Sequence, residues 1–207
     1  MARLGFLHRD FEVFKISDFN ARMEKIYEFI RPRLIRLSNE LAPELSRTLR
    51  IEFLPHVATH MRLRMNPPSE AWAAFGPSQI GYKRYPYLAL CISAAGIHAR
   101  ATVKPDADKR PELGQAIKSK SSELEKSFRG TKIQDYGDWN YRELPPSRTA
   151  DAHFFERLGD ILAKKDGSID VGFGWPVHEA LTVDRAEVLD AFVELSPLYR
   201  AINSARE

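Results

Sequence analysis

Apolar positions recur along the chain with two different periods, and the points where the period changes divide it into elements. From Ser17 and Asp18, both suited to cap a helix, apolar side chains recur at Phe19, Met23, Ile26, Tyr27, Ile30, Leu34, Leu37, Leu41 and Leu45. Spacing by three and four predicts a helix with one buried face. Pro32 and Pro43 each remove a backbone donor and crowd the preceding turn, so the segment reads as one long helix with a bend, or two in succession.

Over residues 56–66 the period falls to two. Val57, Thr59, Met61, Leu63 and Met65 alternate with His56, Ala58, His60, Arg62, Arg64 and Asn66, which predicts a strand with one buried face. Pro67 and Pro68 end it. Residues 71–75 read as a short second strand and residues 76–86 as a loop. Leu88, Leu90 and Ile92, then Ile97, Ala99, Ala101 and Val103, flank a turn at 94–96 and predict a hairpin. Its second strand turns His98, Arg100 and Thr102 away from the apolar set.

Beyond the hairpin, Pro111 and a thin stripe of Leu113, Ile117, Leu124 and Phe128 predict an exposed helix within 104–132. Residues 133–148 have no period, and Tyr136, Trp139 and Tyr141 suggest a loop pinned by aromatic rings. A helix over 150–165 should stop at Gly167. Ile169, Val171, Phe173 and Trp175 then alternate with Asp170, Gly172 and Gly174 as a strand, and Asp184 with Glu187 opens the last helix in a capping-box spacing. There is no internal repeat. Together these elements predict one α+β domain over residues 1–207, a curved antiparallel sheet of about five strands with the long N-terminal and C-terminal helices packed on its apolar face.

Composition adds limits. A chain of 207 residues, 43% hydrophobic, can bury a full core. It has no apolar run of membrane-spanning length, and its N-terminus carries charges where a signal peptide needs an apolar stretch. Cys91 is the only cysteine, which excludes an internal disulfide and fits a reducing, cytoplasmic setting. The net charge of +3 decides little by itself; where the charges fall matters more.

Strands that turn their apolar faces to one core turn their other faces together. His56, His60, Arg62, Arg64, His98 and Arg100 would then share a surface with no carboxylate evident among them, and Gly172 and Gly174 would leave room for a ligand above the backbone. Like charges across a ladder repel, and a bound anion would relieve the repulsion. Arginine's planar fork fits phosphate or carboxylate, and histidine can hydrogen-bond an anion or exchange a proton. A small anionic ligand (phosphate, nucleotide or carboxylate) is therefore the first functional expectation, with Lys83 added from the basic and aromatic run 81–85. The bland alternative is an ordinary solvated sheet face.

Other chemistries stay open beside it. The run 81–85 and the basic segment 104–132 suit a nucleic-acid or protein interaction module. Two histidines with arginines could carry acid and base steps on a phosphoester, although the P-loop, the GxSxG elbow and the Rossmann glycines are absent. A metal set of His56, His60 and His98 is set aside because the arginines would crowd a cation. No cofactor and no oligomeric state can be read from the residues.

The segments GFLHRDFEVFKI, RMEKIYEFIRPRL, FLPHVATH, MNPPSEAWAAF and GYKRYPYL, which follow one another in the first hundred residues, and PLYR at 197–200, resemble the YktB family of uncharacterised bacterial proteins, also called domain of unknown function 1054. The resemblance implies an α+β fold in a bacterial cytosolic protein. It carries over no catalytic residues.

Overall fold

The computed structural model describes residues 3–59 and 66–205. The N-terminal segment enters through the short helix α1 (His8–Glu12), and Asp18 caps α2 (Phe19–Lys25) by accepting from the Ala21 N–H at 2.8 Å. One π turn (Ile26–Ile30) joins α2 to α3 (Arg31–Leu49), so the predicted bend is a single wide turn. Its extra residue, with the Arg31 N–H reaching back to the Ile26 carbonyl, places Pro32 in the first turn of α3, where its missing donor costs least. Arg33 bonds both oxygens of the buried Asp10 at 2.9 Å, tying α1 to this rod.

Among the described residues seven strands form one sheet: β1 (Leu54–Val57), β2 (Glu70–Gly76), β3 (Tyr87–Ser93), β4 (Gly96–Val103), β5 (Lys132–Asp135), β6 (Ser147–Thr149) and β7 (Ile169–Pro176). Their order is β1-β2-β3-β4-β7-β5-β6, with antiparallel neighbours throughout. The expected five strands become seven because β5 and β6 are too short, at four and three residues, to show a period in the sequence. The strand expected over 56–66 begins at Leu54 and ends at Val57; the alternation expected at 60–65 falls outside the described residues. The single helix expected within 104–132 is two, α4 (Arg110–Ser119) and α5 (Ser121–Ser127), which meet at Lys120.

Three helices complete the fold: α6 (Ala152–Ala163), α7 (Val177–Ala180) and α8 (Arg185–Asn203). Asp184 and Glu187 form the predicted capping box on α8. On one side of the sheet, Phe75, Leu88, Leu90, Ile97, Val103 and Val171 meet Leu37, Leu41 and Leu45 of α3 and Phe192 and Leu195 of α8 in a single core. The N-terminal and C-terminal helices thus cover the apolar face, as the alternation implied. No helix among the described residues is long and apolar enough to cross a membrane.

Helices α4 and α6 cross at two glycines. A Cβ on Gly114 would stand 2.5 Å from the Gly159 carbonyl oxygen, closer than any packed carbon comes. In an exposed helix, glycine to alanine gains about 1 kcal/mol. Here Gly114→Ala is expected to lower stability in urea denaturation, because the crossing must open; a gain would show that the two helices do not touch there.

Candidate functional site

The sheet's second face is built from the alternate residues of the core strands. Register sets His56, Ala74, Ala89, Arg100 and Gly172 in one row and Trp72, Cys91, His98 and Gly174 in the next. Of the seven sequence-derived candidates, the structure describes His56, Lys83, His98 and Arg100; His60, Arg62 and Arg64 fall outside the described residues. His56 and Arg100 stand three strand spacings apart, roughly 14 Å, so the described candidates divide into an inner pair and an outer pair.

The inner pair is buried. His98 is 0% and Arg100 3% exposed, where an open face was expected. Their cover is the segment after β5: Trp139 meets the His98 ring edge-on at 4.8 Å, and Tyr136 packs on the same ring at 5.2 Å and lies 5.2 Å from the Arg100 guanidinium carbon. Tyr141 continues the stack at 4.5 Å from Trp139. The room expected above Gly174 is filled by the chain itself, since a Cβ there would lie 2.5 Å from the Tyr136 hydroxyl. The pinned aromatic loop read from 133–148 is this strap.

Two carboxylates that the sequence reading did not set against its cations, Glu70 and Asp170, are present on this face. Arg100 Nη2 donates to Glu70 Oε2 at 2.6 Å and to Cys91 Sγ at 2.8 Å, and Nη1 lies 3.9 Å from Asp170 Oδ1. Thr102 and Lys104 complete Asp170 with hydrogen bonds of 2.6 and 2.7 Å. The repulsion expected among cations is therefore relieved within the protein. Glu70 escaped notice because the second strand was read as starting one residue later.

Burial and these partners set the protonation states. Burial opposes a charged Arg100, but Cys91, Glu70 and Asp170 overcome it and hold its pKa well above the ordinary value. Burial pushes the Cys91 thiol up to about 12, although Arg100 partly offsets this. His98 is kept neutral, well below the ordinary histidine value, by burial and by Arg100. Its Nε2 lies 3.1 Å from Ser93 Oγ, while Nδ1 finds no hydrogen-bond partner among the described residues.

The outer pair is half-buried at the β1 edge. Tyr82 stacks on His56 with ring centroids 4.3 Å apart and accepts a 3.1 Å hydrogen bond from Trp72 Nε1, and Lys83 Nζ lies 5.6 Å from the Trp72 ring centre. Arg31 of α3 reaches the end of β1, 3.4 Å from the carbonyls of Val57 and Ala58. His56 is held below its ordinary pKa by burial, then by Arg31 and Lys83. Sequence reasoning missed Arg31, whose helix position gave no sign that it would meet β1.

A family model described as a domain of unknown function (DUF1054) matches residues 6–199. The chain belongs to this family. The match runs through the strap, β5 and β6 as well as the N-terminal motifs from which the resemblance was read. Similar proteins include a UPF0637 protein of Bacillus velezensis, 28% identical over 206 residues that span 96% of this chain and 97% of that one, and a UPF0637 protein of Bacillus licheniformis, 27% identical over 97% of each. A UPF0637 protein of Lysinibacillus sphaericus is 39% identical over 88 residues, 42% of each chain. The family is one of uncharacterised bacterial proteins, as the motifs implied.

The inner cluster makes acid stability depend on Asp170. Burial alone would raise its pKa, but Lys104, Arg100 and the hydrogen bond from Thr102 bring it below the ordinary value. A depressed carboxylate contributes stability above its unfolded pKa of about 3.9, and that contribution is lost as pH falls through the lower folded value. Asp170→Asn should therefore be less stable at pH 7 and lose less on acidification below about pH 4. Parallel stability curves for the two proteins, from urea unfolding at a series of pH values, would contradict this.

Proposed function

We propose that the protein binds a small anion at the outer edge of the second face, with a phosphate or carboxylate group held by Arg31, His56 and Lys83 and any planar part of the ligand resting on Trp72. The observation that carries the reading is electrostatic: the charges that perturb His56 are both cations, converging from α3 and from the turn after β2. Arg100 is matched by Glu70 and Asp170 and has no charge to offer a ligand. Arginine supplies a fork of donors and lysine a point charge, a usual pairing for phosphate. The same reading takes in His60, Arg62 and Arg64, which follow β1 in the chain.

An anion held beside His56 by Arg31 and Lys83 favours the charged form of His56, so binding should raise its pKa and tighten as pH falls from 8 to 6. Proton NMR of the His56 ring, titrated with and without inorganic phosphate, reads this directly. The expected result is a value below about 6.5 in the free protein that climbs when phosphate is added, and does so less in Lys83→Ala. Arg62→Ala should likewise diminish the thermal shift given by phosphate while the ligand-free melting point stays in place. A His56 titration indifferent to phosphate, pyrophosphate and citrate would end the proposal.

A further inference from the structure

Beneath the strap lies a second constellation that uses none of the anion-site residues. Glu70, Cys91 and His98 each offer one ligand atom, and the three atoms lie within 4.8 Å of one another in a buried setting. They come from three adjacent strands: Cys91 on β3 faces His98 on β4 in register, and Glu70 on β2 is two residues from Trp72, the partner of Cys91. A carboxylate oxygen, a sulfur and an imidazole nitrogen are the three donor types that zinc takes, and three protein ligands leave a fourth position for water or a reacting group.

A separate observation points the same way. The His98 imidazole is wholly buried, yet its Nδ1 has no partner among the described residues. Its other nitrogen lies against Ser93 Oγ, which also accepts from the Ala95 N–H at 3.1 Å. A histidine with one ring nitrogen steadied by a neighbour and the other uncommitted is arranged as metal-binding histidines are.

We propose that Glu70, Cys91 and His98 form a binding site for a divalent cation of the zinc class. Arg100 is a cationic neighbour that already donates to two of the three residues, so an ion here must share Glu70 and Cys91 with it. Arg100 grips one oxygen of Glu70, and a carboxylate has two; its bond to Cys91 Sγ offsets part of what burial costs the thiolate that a metal requires. Binding breaks the Cys91 S–H bond and forms a metal–sulfur bond, and the proton leaves to buffer. Trp139 meets His98 on one side and lines a surface groove with Asp138 and Glu143 on the other, so it stands between the site and that groove.

The test follows from the cysteine count. Cys91 is the only cysteine in the chain, so a thiolate-to-cobalt charge-transfer band in the near ultraviolet can arise from this site alone. Chelator-treated full-length protein should take up one cobalt per chain with that band, release one proton per metal, and lose the band when zinc is added. Ser93→Ala, a small change that removes the hydroxyl beside His98, should weaken cobalt about 10- to 100-fold while the far-ultraviolet circular dichroism is unchanged. His98→Gln should abolish the band. Absence of cobalt and zinc binding at micromolar concentrations, or binding without the band, would overturn the proposal. Neither result would touch the phosphate response of His56, which the anion reading stands on.

Discussion

A guanidinium in a protein interior is tolerable only when its charge and its donors are met, and the second face of this sheet is organised around meeting those of Arg100. Glu70 comes from β2, Cys91 from β3 and Asp170 from β7, so one side chain on β4 joins three other strands on the side opposite the core. Taking such an ion out of water costs several kcal/mol, which its partners must offset. The aromatic strap follows from the same requirement. With Tyr136, Trp139 and Tyr141 excluding water, the attractions around Arg100 act in a medium of low polarity, where they are strongest. Each residue of β3 and β4 is consequently buried on whichever side it points.

The apolar half of this architecture was legible in the chain. Leu88, Leu90, Ile97, Ala99 and Val103 fixed the core face of the hairpin, and Asp184 with Glu187 fixed the start of α8. The polar half was not, because alternation reports only that one face differs from the other. His98, Arg100 and Thr102 produce the same pattern whether they meet water or a strap of aromatic rings. Two signals of a covered face were present: the small residues Ala74, Ala89, Gly172 and Gly174, which give a covering layer room, and three large aromatics close together in a segment with no period. The pairing of Arg100 with Glu70 spans thirty positions of sequence, and no local pattern carries it.

The face divides into two zones of different chemistry. Inside, charges are matched and water is excluded, which suits fixed protonation states and soft ligand atoms. Outside, at the β1 edge, Arg31 and Lys83 bring positive charge to His56 beside the half-buried Trp72. Trp72 touches both: it faces Cys91 in register, donates to the Tyr82 hydroxyl and carries Lys83 over its ring. In a family defined only as a domain of unknown function, this adjacency is the feature that most constrains what the protein does.

The most direct test of this account is a double-mutant cycle between Arg100 and Glu70, using Arg100→Met, Glu70→Met and the pair, followed by urea denaturation. A buried, hydrogen-bonded ion pair that organises the face should show a coupling energy of about 2–3 kcal/mol, with the double variant losing far less stability than the two single losses added together. A coupling below about 0.5 kcal/mol, the size found for exposed pairs, would contradict it.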